Sequence, residues 1–216
     1  MSRPVALACA ALVASLAAPA AASAATATPL SACVRSGAAD LSLSASGWAP
    51  GAALTFKLGG KRVGAGTADA AGSFSNRAAP FTVPVLSPGR PLRTLELTAA
   101  DGAGATARPA GVKVVRRTVT VPAKARPSRR VTYRAYGFPR GRRLFLHVRR
   151  GQRTLGSFAL GRPAGACGLL HKRLRYMPLR RWRTGTYDFW FSNTRRFRAR
   201  ATLYGYRVSI YRPRGG

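Results

Sequence analysis

Acidic residues are scarce in this sequence, whose 216 residues hold 5 Asp and Glu against 37 Lys and Arg, a formal net charge of +32. Most cations therefore have no acidic partner on the same chain, and the imbalance predicts an anionic partner outside it. The shortage also disfavours glycoside chemistry by paired carboxylates, because Asp188 is the only acid after Asp101.

Histidine and cysteine are too few for the usual catalytic and metal-binding patterns. The chain has 2 His and 3 Cys, with neither a C-x-x-C pair nor a G-x-x-x-x-G-K-[ST] loop. Cys167 and His171 are the best candidates for a nucleophile and its base, but their spacing does not guarantee that they lie within hydrogen-bond reach. The sequence predicts no enzyme, no metal site and no cofactor, with a small secreted Cys/His enzyme as a less favoured alternative.

Long apolar runs are missing except at the N-terminus. Arg3 precedes the 14-residue run VALACAALVASLAA, which leads to the small residues Ala22, Ser23 and Ala24. These are the three parts of a secretory signal, and the run is shorter than the ~20 residues that span a bilayer. We predict a signal peptide over residues 1–24, a secreted or cell-surface protein, and no transmembrane span.

The two cysteines left after removal of the signal, Cys33 and Cys167, have more than one interpretation. In an oxidising compartment they are first a disulfide candidate, although two unpaired buried thiols remain an alternative. Leu30 to Cys33 also resembles a bacterial lipobox, displaced from the apolar run. Lipidation of Cys33 is incompatible with the disulfide, and it predicts a lipid-anchored structural surface protein.

The turn-and-strand segment at residues 45–60 is repeated at 135–151 when residue n is compared with residue n+90. The glycines of the turn coincide in the two copies, and so do the alternate apolar residues of the following strand. These are the positions at which backbone geometry restricts the choice of residue. The matched pairs are Gly47 with Gly137, Trp48 with Phe138, Gly51 with Gly141, Leu54 with Leu144, Phe56 with Leu146 and Leu58 with Val148.

Alternating apolar residues predict short strands throughout, and no long segment has helical periodicity. The predicted strands are 41–46, 53–58, 94–100, 131–137, 143–150, 186–192 and 206–211. The predicted fold is all-β, with two tandem antiparallel β-sandwich domains after the signal peptide. We predict an N-terminal linker at 25–39, a first sandwich at 40–121, a linker at 122–128 where prolines interrupt strand pairing, and a strongly basic second sandwich at 129–216.

The segments GWAPGAALTFKLGG, at 47–60, and GTADAAGSF, at 66–74, resemble the short immunoglobulin-like (IPT/TIG-like) modules of secreted actinobacterial proteins. The resemblance covers about residues 40–115, and the second copy follows it less closely. It implies that the two tandem β-sandwich domains are immunoglobulin-like, that the protein is exported, and that its role is structural or adhesive, without catalytic residues.

The positive charge is concentrated in the second copy, where residues 121–216 hold 25 Lys and Arg against 1 acid, compared with 11 against 4 in residues 25–120. Arg143, Phe145, His147 and Arg149 are predicted to form a cationic strip on one strand face, provided that this face is exposed to solvent. The predicted polyanion-binding residues are Arg140, Arg142, Arg143, Arg149, Arg150, Arg153, Arg180, Arg181, Trp182, Arg183, Arg195, Arg196, Phe197 and Arg198.

Arginine forks suit phosphate and carboxylate, and their summed field concentrates anions. The predicted function is electrostatic association with anionic cell-envelope polymers or lipid headgroups. Extracellular nucleic acid is a less favoured partner, because bases could stack on Trp182 or Phe197 but no nucleic-acid fold motif is present. The alternative is that the excess of arginine reflects compositional bias at surface positions and has no function.

Overall fold

The computed structural model describes residues 24–122 and 125–211, so the predicted signal peptide lies, except for Ala24, outside the described residues. The described residues form strands and one short 3₁₀ turn, Ala199–Ala201. No helix among them is long and apolar enough to cross a membrane. This all-β structure confirms the predicted fold class.

Ten strands belong to the first half of the chain. They are β1 (Thr26–Pro29), β2 (Val34–Arg35), β3 (Ala39–Leu41), β4 (Leu43–Ser46), β5 (Ala53–Leu58), β6 (Lys61–Thr67), β7 (Phe74–Ser75), β8 (Phe81–Thr82), β9 (Leu92–Asp101) and β10 (Ala110–Val115). One sheet has the order β1-β4-β7 and the other β2-β10-β9-β5-β6, with β3 and β8 forming a separate pair. All neighbours are antiparallel except β2, which runs parallel to β10.

Seven strands belong to the second half. They are β11 (Thr118–Thr120), β12 (Arg130–Tyr136), β13 (Leu144–Arg150), β14 (Arg153–Gly161), β15 (Leu170–Arg175), β16 (Gly185–Ser192) and β17 (Thr202–Ile210). A three-stranded antiparallel sheet, β11-β12-β15, and a four-stranded one, β14-β13-β16-β17, enclose the second core. The first half has the same arrangement, with β1-β4-β7 in the place of β11-β12-β15.

The repeated segments have the same local geometry in the two halves. Gly47 and Gly137 both have positive φ, 81° and 72°, in a backbone region that favours glycine. Trp48 and Phe138, which follow them, are both buried in their cores. The backbone N–H of each aromatic residue donates to a glycine carbonyl, that of Gly72 or Gly168, at 3.2 Å in both cases. The turn containing Cys167 is thus the counterpart of the turn at 69–73.

A tyrosine at the start of β16 supports the immunoglobulin-like assignment. The Tyr187 hydroxyl donates to the carbonyl of Arg183 at 2.7 Å and accepts from the backbone N–H of Arg183 at 3.0 Å. A tyrosine in this strand that bonds the backbone a few residues upstream is the tyrosine corner of such sandwiches. Together with the strand order, it makes the second half an immunoglobulin-like β-sandwich.

The two sandwiches begin earlier than the sequence predicts. Residues 25–39, expected to be a linker, contain β1 and β2, and Ala27 and Val34 lie in the first core. These strands are too short to show alternation. Val119 already belongs to the second core, so the chain passes between the cores after Val115. We propose that the module boundary lies at 116–117.

The predicted linker at 122–128 also differs from the structure. On the far side of the undescribed residues 123–124, the Pro127 carbonyl accepts a hydrogen bond from the Met177 backbone at 2.9 Å. Ala125 packs against the second core. Residues 125–128 lie outside the strands, and these contacts attach them to the second sandwich.

A disulfide joins the two halves, with Cys33 bonded to Cys167 across 134 residues of chain. Cys33 precedes β2 of the first sandwich, and Cys167 lies in the turn that contacts Phe138 of the second. The thiol of Cys167 is therefore not available as a nucleophile.

Candidate polyanion-binding surface

The predicted strip on β13 is present as a shared face but not as an exposed one. Leu144, Leu146 and Val148 are fully buried in the second core, so alternate residues project to the opposite side, as expected. On that side, however, His147 is also fully buried, and Phe145 and Arg149 are half-buried. The solvent exposure on which the cationic strip depended is therefore found at Arg143 but not at Phe145, His147 and Arg149.

The segment between β16 and β17 covers this face of the sheet. Phe197 from this segment lies edge-on to His147, with ring centroids 5.6 Å apart, and its ring is 6.3 Å from that of Trp190. The Arg149 guanidinium lies over the Phe197 ring at 4.2 Å. Phe197 thus serves packing, and the predicted use of its ring as a free stacking surface does not match its position.

His147 is held between two serines beneath this segment. Its Nδ1 lies 2.7 Å from Ser157 Oγ, and its Nε2 lies 2.8 Å from Ser192 Oγ. Burial lowers the pKa of His147, because the charged imidazolium would lose its hydration. In a catalytic triad, one ring nitrogen of the histidine faces the nucleophile and the other faces a carboxylate that stabilises the imidazolium. Both ring nitrogens of His147 face serine hydroxyls, so that carboxylate is missing.

The disulfide removes Cys167 and His171 as candidates for a nucleophile and its base. Cys167 is bonded to Cys33, and His171 is exposed on β15. Within residues 24–122 and 125–211, no three His, Cys, Asp or Glu side chains form a group that could hold a metal ion.

The structure brings part of the predicted arginine set together in a groove on the second sandwich. Its cavity has a volume of about 560 Å³. We call it the Arg–Trp groove, and it is lined by Arg150, Arg153, Leu155, Arg181, Trp182, Arg183 and Tyr187. All four arginines are exposed, whereas Trp182 is half-buried and packs against the second core.

Two turns build the groove. Arg150 and Arg153 lie opposite each other across the β13–β14 hairpin, whose turn contains Gly151 with φ of 58°. The other wall is the segment before β16, which Tyr187 anchors through both backbone bonds to Arg183. The Arg150 guanidinium lies 5.8 Å from the centroid of the Tyr187 ring, so the same tyrosine connects both walls.

Gly185, at the start of β16, makes room for one of the cations. A Cβ at this position would lie 3.1 Å from Arg150 Nη2, closer than most side-chain contacts. Its φ of 130° also disfavours any other residue. The glycine therefore allows the Arg150 guanidinium to lie against the strand.

The groove contains cations without an acid to neutralise them. Asp188, the only acid of residues 121–216, follows Tyr187 on β16 and pairs with Arg207 on β17, with Oδ1 and Nε 3.0 Å apart. No acidic residue lines the groove itself. Four guanidinium groups thus face a concave surface whose positive field is not cancelled locally.

The remaining predicted residues lie elsewhere. Arg142, Arg143 and Arg180 are exposed but do not line the Arg–Trp groove, and Arg140 lines a separate cavity beside the disulfide. Arg195, Arg196 and Arg198 are exposed on the segment that carries Phe197. The predicted set is therefore several clusters, of which the groove combines four arginines with an aromatic ring.

Sequence reasoning missed Leu155 and Tyr187 as parts of the site. Tyr187 lies in the predicted strand TYDFWFS, and a tyrosine at the start of a late strand is the available signal for a tyrosine corner. Leu155 carries no such signal, because it lines the groove only where the segment containing Trp182 lies beside it.

No family model matches the chain, and no curated protein matches it either. Solved structures do resemble it. The human OSCAR ligand-binding domain is 11% identical over 87% of this chain and 98% of that chain, with a TM-score of 0.32. Fibronectin(III)-like modules of CbhA from Clostridium thermocellum are 13% identical over 78% of this chain and 84% of theirs, with a TM-score of 0.27.

A bacterial ice-binding adhesin, described in connection with host cell surface retention, is also similar. It is 13% identical over 87% of this chain and 64% of its own, with a TM-score of 0.27. At these values, the similarities carry no argument about ligand or activity. The strand order and the tyrosine corner define the class of this chain, a pair of immunoglobulin-like β-sandwiches.

Proposed function

We propose that this chain is an exported, non-enzymatic pair of immunoglobulin-like modules, related to the IPT/TIG-like modules of secreted actinobacterial proteins. Its second module attaches electrostatically to anionic cell-envelope polymers or lipid headgroups. The observation that carries the proposal is the Arg–Trp groove, where four exposed arginines line one cavity without an acid. Guanidinium forks bind phosphate and carboxylate through paired hydrogen bonds, which gives such a cluster its preference for anions.

Export is supported by the redox state of the cysteines. Disulfides persist in oxidising compartments outside the cytosol, and Cys33 is bonded to Cys167. The predicted signal peptide agrees with this location, although residues 1–23 lie outside the described part of the chain.

The lipid-anchored alternative is less compatible with the structure. Lipidation of Cys33 would use the sulfur that bonds Cys167. It would also make Cys33 the first residue and so remove β1, which pairs with β4 along four positions and contributes Ala27 to the core. We therefore favour an exported protein whose N-terminal strand is retained.

Nucleic acid remains a weaker candidate as the partner. Phe197 packs over His147 and beneath Arg149, which leaves Trp182 as the one predicted aromatic residue in the groove. Single-stranded nucleic acid is usually held on several stacking surfaces in succession. One ring among the arginines fits that mode less well than association with an envelope polymer.

The test compares two quadruple variants of the mature chain on a column of immobilised teichoic polymer. Reversal of Arg150, Arg153, Arg181 and Arg183 to Glu changes the groove. The matched control reverses Arg130, Arg134, Arg173 and Arg175, which are exposed on β12 and β15 of the opposite sheet, and changes the net charge equally.

We expect the groove variant to bind about tenfold or more weakly than the control, and the binding of the unaltered protein to fall steeply as salt rises. Equal losses in the two variants would contradict a localised site. Failure of the unaltered protein to be retained at low salt would contradict the function itself.

A further inference from the structure

We propose that the Arg–Trp groove takes an acidic sugar, with a pyranose ring against Trp182 and its carboxylate or sulfate held by the surrounding arginines. This inference rests on the proposed function and deepens it, because it names the unit of the polymer that the groove recognises. It distinguishes a shaped site from general attraction between charges.

The first support is the position of Trp182 between two arginines on an anchored segment. The side chain is half-buried, packs against the second core and lines the groove. The next residue, Arg183, has both its backbone N–H and its carbonyl bonded to Tyr187. The indole is therefore presented by a fixed backbone, and a ligand does not have to order it on binding.

The second support is an apolar surface within a strongly cationic cavity. Leu155, which is 37% exposed, lines the groove beside Trp182. Simple attraction of a polyanion requires only the arginines, and exposed apolar side chains add nothing to it. A lining of aromatic and aliphatic groups with a few charged ones is typical of sites for a ligand that has both an apolar face and a charge.

The third support is the size of the site and its single stacking ring. A cavity of about 560 Å³ is in the range of small-molecule sites and is large enough for one or two sugar units. A pyranose has an apolar face of C–H groups that packs on an aromatic ring, and acidic sugars carry the anion on that same ring. A nucleic-acid strand would require one ring for each base, and a ringless polymer would not use Trp182.

The experiment measures binding of three probes to the mature protein by titration calorimetry. The probes are a short oligogalacturonate, a sulfated disaccharide and linear polyphosphate, which has no ring. The variants are Trp182→Ala, Trp182→Phe and, as a control, Tyr211→Ala, whose side chain is 78% exposed and outside the groove. Thermal unfolding of each variant shows whether it is folded.

We expect Trp182→Ala to weaken the binding of at least one of the two acidic sugars about tenfold, as truncation of a central aromatic anchor does. Its polyphosphate binding should change by less than about twofold, and Trp182→Phe should recover most of the sugar affinity. The sugar that responds identifies the anion, carboxylate or sulfate. Tyr211→Ala should bind all three probes like the unaltered protein.

The inference is overturned if Trp182→Ala weakens polyphosphate and both sugars equally, or weakens neither sugar. If a single-stranded oligonucleotide responds to Trp182→Ala and the sugars do not, the ring serves nucleic acid instead. These outcomes leave the proposed function intact when polyphosphate still binds to the unaltered protein and is lost on reversal of the groove arginines. Failure of the unaltered protein to bind any of the three probes at low salt would contradict both proposals.

Discussion

At the scale of single residues, His147 shows how a polar side chain on β13 serves packing. It lies between Ser157 and Ser192 and beneath Phe197, and burial lowers its pKa from the ordinary value of 6.5. The folded protein consequently disfavours protonation of this imidazole.

This arrangement predicts that the protein loses stability in mild acid. Because the pKa of His147 is lower in the folded than in the unfolded chain, the unfolded chain binds the proton first. The contribution of His147 to the free energy of unfolding is therefore fully present above about pH 6.5. It falls as the pH decreases from that value towards the folded-state pKa, by no more than about 1.4 kcal/mol per pH unit. Urea unfolding between pH 8 and pH 5 measures the effect.

The control for this prediction is the other histidine. His171 is exposed on β15, so His171→Gln should retain the loss of stability in acid, whereas His147→Asn should remove most of it. An unchanged pH dependence in His147→Asn would show that another group is responsible.

The alternation of β13 also marks how far single residues could be predicted. Leu144, Leu146 and Val148 are buried as the pattern indicates. Alternation assigns residues to two faces, but it does not tell whether a later segment folds over the polar one. The cover provided by Phe197 depends on a segment about fifty residues further along the chain.

At the scale of elements, the seven predicted strands correspond to strands of the structure, with ends that differ by a few residues. Two of the strands that were not predicted have weak local patterns for identifiable reasons. β6 contains the sequence VGAGT, whose glycines pack beneath Phe74 and Phe81, and β15 reads LHKRLR with few apolar residues. Tertiary packing rather than local preference forms such strands.

The turn that carries Cys167 is also an element whose role depends on contacts. A Cβ on Gly168 would lie 1.8 Å from the carbonyl oxygen of Phe138, whereas one on Gly165 would meet nothing within 4 Å. Both glycines have positive φ, 57° and 66°. Both positions thus have a positive φ that favours glycine, but only Gly168 also lies too close to the Phe138 backbone for a Cβ.

Alanine substitutions separate the two effects. Gly165→Ala should destabilise the protein by about 1 kcal/mol through backbone strain alone. Gly168→Ala should cost about 3 kcal/mol or more, because the turn must move away from Phe138. Urea unfolding of the two variants provides the comparison, and equal losses would contradict the importance of the contact.

At the scale of the whole molecule, the dominant property is unbalanced charge. The full chain has a formal net charge of +32, and the described residues contain two salt bridges, Arg35 with Asp40 and Arg207 with Asp188. The hydrogen bond from Arg35 lowers the pKa of Asp40, so this pair persists in mild acid. The other cations repel one another, which destabilises a compact state more than an expanded one.

Added salt should therefore stabilise the protein. Screening shortens the range of repulsion between exposed cations, and the gain of about 1–2 kcal/mol corresponds to an increase in Tm of roughly 3–6 °C between 10 and 300 mM NaCl. Differential scanning calorimetry measures the shift. A Tm that stays constant or falls over this range would contradict the interpretation.

The covalent bridge between the sandwiches also determines how a pulling force travels through the protein. A load applied to β1 and β17 crosses directly from Cys33 to Cys167, so the chain between them, a sequence separation of 134, is bypassed while the bond is intact. Fully extended, that stretch is about 450 Å long. Reduction of the bond would route the load through the folded sandwiches, and their unfolding under force would then release this length, which the oxidised form retains.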